Sequence, residues 1–123
     1  MCHTDIHTDN ILVDKENRIF IIDWDNPLLA PRERDLMFVA NTKEKQLFFD
    51  GYGDVDVDLT VLSYYKYEWV VQEIGDYGQR VLLNKNFGNK TKKDAVKSFF
   101  ALFEPDDVVD SAFKADLKFH IFC

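Results

Sequence analysis

Seven residues able to do chemistry crowd the first 25 positions of this chain: His3, Asp5, His7, Asp9, Asn10, Asp23 and Asp25. Asp5 and Asn10 stand five apart in an HxDxxxxN pattern on a stretch with no regular periodicity. An Asp in such a loop can orient and deprotonate a hydroxyl, while an Asn amide oxygen and a more distant Asp can hold magnesium. Magnesium takes few protein oxygens and completes its shell with substrate phosphates, so a sparse pair such as Asn10 and Asp23 is enough. The set therefore suits phosphoryl transfer. A metal hydrolase is the competing chemistry, because His3, Asp5 and His7 would share one face if the stretch were a strand. It wants a third well-placed histidine, and the only other one is His120, far along the chain.

Two short apolar segments must position these groups. Ile11-Leu12-Val13 and Ile19-Phe20-Ile21-Ile22 flank the polar connection Asp14 to Arg18, which predicts a β-hairpin with a five-residue loop. Pairing would bring Asn10 close to Asp23. Beyond Asp25, prolines 27 and 31 bracket a loop, and Pro31 is expected to start a helix that carries Arg32 to Asp35 in its first turns and fades near Asn41. A second short helix is expected to open at Thr42 to Lys45 and to break at Gly51-Tyr52-Gly53. The acidic run Asp54 to Asp58 reads as a loop that ends in an N-cap at Asp58 rather than as a strand or a calcium loop.

From Leu59 to about Leu83 apolar residues recur at helical spacing, with Tyr64, Tyr65 and Trp69 expected in the core. A loop is expected over Asn84 to Lys90. Thr91 and Asp94 resemble a capping box, and Pro105 is expected to separate the helix they open from a last one bearing Val109, Phe113, Leu117 and Ile121. No linker or repeat divides the chain, so one domain over 1–123 is expected. Its class is mainly α with a small β-hairpin, since nothing builds a sheet large enough to be a core.

Bulk properties narrow the function. The 123 residues carry a formal charge of -7 with a pI near 4.8, which lacks the basic footprint of a general nucleic-acid binder. No apolar run approaches the length of a membrane span. The two cysteines, Cys2 and Cys123, build no disulfide framework, so a soluble cytoplasmic protein acting on a small molecule is expected.

HTDIHTDNILV followed by IFIIDWD resembles the catalytic and metal-binding segments of the aminoglycoside phosphotransferase family, relatives of the protein kinases. PLLAPRERDLMFV, FFDGYG, LSYYKYEWVVQEIGDYG and FEPDDVVDSAF resemble the spectinomycin phosphotransferase branch. The resemblance implies a partial C-terminal lobe of a protein-kinase-like fold, with ATP as donor and Mg as cofactor. It implies Asp5 as the catalytic base and Asn10 and Asp23 as magnesium ligands. His3 would be the structural histidine of the loop, and Asp35 the buried acid bracing its backbone. His7 and Asp25 are auxiliary candidates, and Glu68 is a candidate to reach an acceptor amine.

Thr4 stands where these enzymes commonly have glycine, which matters only if that position needs positive φ. The family's N-terminal lobe, with its nucleotide-clamping lysine, has no counterpart after Met1: Lys15 lies in the hairpin turn and Lys43 in a helix after the site. A missing lobe or partner chain is therefore expected, and the chain by itself is expected to have little or no activity. A catalytically inactive remnant or a substrate-binding lobe would have the same sequence. The acceptor stays open among aminoglycosides, aminocyclitols and other small alcohols.

Overall fold

The computed structural model describes residues 1–39, 45–79, 83 and 88–121, with backbone alone for 116–121. They group into two compact units, Met1–Leu62 and Ser63–Cys123. Among the described residues the fold is mainly α-helical with one small antiparallel hairpin.

In the first unit, strands β1 (Ile11–Val13) and β2 (Ile19–Ile21) pair antiparallel with Ile11 opposite Ile21 and Val13 opposite Ile19. The pairing continues one step further, as Ile22 N–H donates to the Asn10 carbonyl at 3.0 Å. Asp14 organises the connection. Its Oδ1 accepts the N–H groups of Glu16 and Arg18, both at 2.9 Å, and its Oδ2 accepts Arg18 Nε at 2.6 Å. Asn17 takes the left-handed φ of 59° that such a turn needs, a conformation asparagine tolerates better than most residues. These bonds hold the Asp14 carboxyl below its ordinary range, first through the Arg18 backbone N–H and then through the Arg18 side chain.

After the hairpin, Cys2 and Leu28 form an isolated antiparallel bridge, with Cys2 N–H to Leu28 O at 2.7 Å and Leu28 N–H to Cys2 O at 3.1 Å. Nothing in the apolar pattern announced this pairing, because it involves a single residue on each side. The helix expected from Pro31 is shorter than its sequence suggested. Helix α1 is Glu33–Leu36, and turns follow through residue 39. Leu36 and Met37 are the apolar residues it buries. Asn41, and Thr42 to Glu44 at the expected start of the next helix, lie outside the described residues. Helix α2 is Lys45–Tyr52, and Gly53 ends it at φ 102°. Asp58 caps the following helix as its position suggested, its Oδ1 accepting the N–H groups of Thr60 at 2.9 Å and Val61 at 3.1 Å. The Asp58 N–H is in turn accepted by the buried Glu33 carboxylate at 3.1 Å.

Helix α3 (Leu59–Gly78) runs through the boundary between the units and tolerates Gly75 within it. Tyr64 is not a core residue: it is 60 % exposed, and its hydroxyl donates to Glu68 at 3.4 Å. Tyr65 and Trp69 are half-buried. In the second unit helix α4 (Asn89–Ala101) begins two residues before Thr91, with extended Gly88 at its N-cap, so the suggested capping box does not form. The chain turns at Leu102–Asp107 rather than at Pro105 alone, with Asp106 left-handed, and helix α5 (Val108–Ile121) follows. Leu102, Val108, Ala112 and Ala115 are buried there. So is Lys66, whose Nζ donates to Ser111 Oγ at 2.5 Å. Of the loop expected over Asn84 to Lys90, Asn89 and Lys90 belong to α4, and Asn84 to Phe87 lie outside the described residues, as do residues 80–82.

Two measurements follow from this packing. Truncation of Met37 to Ala removes a fully buried side chain and should cost about 2–5 kcal/mol in urea unfolding. The Asp14 turn should be insensitive to mild acid. Because the folded carboxyl titrates below its unfolded value, its contribution is complete above that value and is lost only as pH falls through the lower folded one. Arg18 amide shifts in an NMR titration should therefore move below the ordinary carboxylate range and not within it.

Candidate active site around Asp5 and Asn10

The loop before β1 is built on one carboxylate. Asp35, half-buried on α1, accepts the His3 N–H at 2.8 Å on Oδ2 and the Thr4 N–H at 2.7 Å on Oδ1. Charge-assisted bonds to two successive N–H groups fix the peptide planes on which Asp5 depends. The same carboxylate, after burial itself, helps to push the Cys2 thiol above its ordinary range. Cys2 Sγ lies 3.3 Å from the Ala30 carbonyl and 3.2 Å from that of Pro31, as a buried structural thiol does.

His3 is locked on all sides. Its Nε2 lies 2.7 Å from the Ile22 carbonyl, its Nδ1 accepts the Asp5 N–H at 3.3 Å, and its ring packs edge-on to Trp24 at 4.6 Å. A carbonyl can only accept and an N–H only donate, so these partners set the proton on Nε2. The ring is buried, and both of its nitrogens are engaged by the protein itself.

Thr4 takes φ 75°, and so occupies the conformation in which glycine carries no penalty. For a β-branched residue this is an outlier costing roughly 1–3 kcal/mol. It is also why His3, Asp5 and His7 do not alternate as a strand would. Thr4 Oγ1 donates to the Asn26 carbonyl at 3.0 Å, a bond across 22 residues.

Asp5 is exposed, available to a ligand, and wrapped on one side by Asn10. Asn10 is buried, with its Nδ2 2.9 Å from the Asp5 carbonyl and 3.3 Å from Asp5 Oδ2. The short turn Thr8–Asn10 that presents Asn10 is capped by His7, whose Nδ1 accepts the Asp9 N–H at 3.3 Å. With Nδ1 taken, the neutral His7 ring carries its proton on Nε2, 3.5 Å from Asp5 Oδ2. The 3.3 Å approach of Asn10 Nδ2 to that same nitrogen is then no hydrogen bond, and both amide hydrogens go to Asp5. Asn10 Oδ1 is left without a partner among the described residues.

Asp23 follows Ile22, and so stands one residue from the bond that ties β2 to Asn10. It is exposed and left-handed at φ 63°. Asp25 is exposed as well, and neither carboxylate makes a hydrogen bond among the described residues. Trp24 between them is fixed by its indole N–H, which donates to Ile21 O at 2.9 Å. Glu68 belongs to the second unit and is half-buried beside Tyr64. Sequence reasoning did not find Trp24 as a wall for His3 or the Thr4–Asn26 bond; the glycine-like position of Thr4 was the available signal for the latter.

No cluster of three His, Cys, Asp or Glu residues is gathered for a metal ion among the described residues. The candidate donors are an amide oxygen of Asn10 and a carboxylate of Asp23, the hard type that suits magnesium and not zinc. The free Oδ1 of a buried, oriented Asn10 amide fits that group.

Comparison with curated proteins finds no match. A solved structure, the crystal structure of a spectinomycin phosphotransferase in complex with ADP and spectinomycin, is similar to this chain with a TM-score of 0.80 and 45 % identity. The match covers 94 % of this chain and 37 % of that one, so the chain spans little more than a third of that protein's length. The model of the phosphotransferase enzyme family matches residues 1–69, which take in the whole loop, the hairpin and α1. With the Asp5–Asn10 loop braced from α1 and joined to Ile22 inside that matched stretch, the chain belongs to the phosphotransferase enzyme family, that of the aminoglycoside phosphotransferases.

Proposed function

We propose that this chain carries the catalytic base and metal-holding residues of an enzyme that transfers the γ-phosphoryl group of ATP to a hydroxyl of a small aminocyclitol-like molecule. The observation that carries the reading is the Asn10 amide, buried and turned so that its nitrogen serves Asp5 while its Oδ1 stays open. One residue thereby orients the base and offers an oxygen to a cation. A spectinomycin-like acceptor is the first choice, because the similar solved structure holds spectinomycin and ADP. The acidic balance of the chain suits a cationic acceptor. A cytoplasmic location, where ATP is at hand, goes with this reaction.

In the reaction Asp5 accepts the proton of the acceptor hydroxyl as its oxygen forms a bond to the γ-phosphorus. The bond from that phosphorus to the β–γ bridging oxygen breaks, and ADP leaves. Asp5 acts through a side chain free to touch the hydroxyl. Its N–H is accepted by His3 Nδ1, its carbonyl accepts Asn10 Nδ2, and the two N–H groups before it are held by Asp35. Asn10 and Asp23 would hold magnesium, which would neutralise charge on the phosphates and align them. Positioning supplies most of the rate in such chemistry, so the bracing of Asp5 matters as much as its basicity. Whatever holds the nucleotide must face these residues. The 37 % of the spectinomycin enzyme that this chain spans makes its activity alone a separate question, which assay answers directly.

The test is ATP- and magnesium-dependent turnover with spectinomycin as acceptor, in the chain alone and in any longer protein that contains it. Asp5→Asn should lower kcat by about 10²- to 10⁴-fold with little change in KM for the acceptor. Turnover unchanged by Asp5→Asn would remove Asp5 as the base. Asp23→Asn and Asn10→Ala should raise the magnesium concentration needed for half-maximal rate. Asp35→Asn should lower kcat although Asp35 touches no substrate, since it loses the charge on two short bonds to the loop.

A further inference from the structure

Two residues of the site hold left-handed backbone without being glycine: Thr4 at φ 75° and Asp23 at φ 63°. Besides the 2.7 Å contact of His3 Nε2 with the Ile22 carbonyl, one side-chain bond joins the segments on which they lie. It runs from Thr4 Oγ1 to the carbonyl of Asn26, three residues beyond Asp23. Thr4 is buried, with 9 % of its surface exposed, so the bond is shielded from competing water. A glycine at position 4 would carry no strain and could make no such bond. The strain and the hydroxyl therefore come together in one residue.

We infer that Thr4 is a positioning residue whose hydroxyl fastens the base loop to the Asp23–Asn26 segment, and so sets where the Asp23 carboxylate stands relative to Asn10. This rests on the reading that Asn10 and Asp23 hold the cation, and it names what keeps them in register. On the hairpin side the Ile22 N–H to Asn10 O bond holds the segment before Asp23. On the far side the Cys2–Leu28 bridge holds the chain after Asn26. Between these anchors, Asp23 and Asp25 have no hydrogen bonds of their own among the described residues, and Trp24 is tied back only to Ile21 and to the His3 ring. Beside the His3 contacts with Ile22 and Trp24, the Thr4 bond is, among the described residues, the hydrogen bond that reaches from the base loop into the Asp23–Asn26 stretch itself.

Substitutions at Thr4 should separate stability from metal binding. Thr4→Gly removes the strain and the hydroxyl together, so it should raise the melting temperature while weakening cation binding. Loss of one hydrogen bond corresponds to a weakening of roughly two- to tenfold. Thr4→Val keeps the shape and loses the hydroxyl, and should weaken binding to the same extent without the gain in stability. Thr4→Ser keeps the hydroxyl and should bind as the native chain does. The probe is Mn²⁺, titrated against the full chain and followed by the electron paramagnetic resonance of the free ion.

The hydrogen bond itself is read separately from the Asn26 carbonyl ¹³C resonance, which should move upfield in Thr4→Val and Thr4→Gly but not in Thr4→Ser. An Asn26 resonance unmoved in Thr4→Val would overturn the clamp whatever the cation does. A resonance that moves while Mn²⁺ affinity stays native would overturn the positioning role. If the native chain binds no Mn²⁺, the metal assignment of Asn10 and Asp23 fails and the positioning role falls with it. That outcome shows in the native protein before any substitution is made.

Discussion

The Asp35 carboxylate, gripping two successive backbone N–H groups, is the constraint on which the site depends. A loop residue in an unfavourable conformation persists only where its surroundings over-determine it. Here the His3 and Thr4 peptides are held from α1, the His3 ring from Ile22 and Trp24, and the Asp5 carbonyl from Asn10. These partners come from three different segments. The result is an exposed carboxylate on a loop held by several hydrogen bonds, the kind of mounting that the base proposed above would need to meet a hydroxyl in one geometry.

The same bracing divides labour among residues of like chemistry. Of the three carboxylates Asp5, Asp23 and Asp35, only Asp35 is consumed by the protein's own backbone, while Asp5 and Asp23 face outward. Of the two histidines in the loop, His3 is buried with both nitrogens engaged. His7 caps a turn and shows its other nitrogen to Asp5. Residue type alone does not separate these roles. Burial and the direction of hydrogen bonding do.

The hairpin was legible because Ile11–Val13 and Ile19–Ile22 are pure apolar runs around a polar turn, and its register then placed Asn10 beside Ile22. Helix α3 was legible from its period and from Asp58 ahead of it. The role of Thr4 was half legible: the departure from glycine stood out, but only the backbone angle shows that the position is left-handed. The Cys2–Leu28 bridge and the Thr4–Asn26 bond are single long-range contacts with no periodic trace. The start of α4 was misplaced because Thr91 and Asp94 have the right types for a cap, while Gly88, with no side chain to signal one, takes the extended N-cap conformation.

The hairpin also bears on how the chain behaves in solution. Its strands are apolar on both faces, with Leu12 50 %, Val13 62 % and Ile19 68 % exposed. Short strands of this kind invite pairing with other chains and slippage of register. Two features oppose that outcome here: the strands are only three residues long, and the turn places Lys15, Glu16 and Arg18 at their end. Charged residues flanking an apolar strand act as gatekeepers against association. The Asp14–Arg18 pairing thus guards solubility as well as geometry, at the point where the chain exposes most of its apolar strand surface.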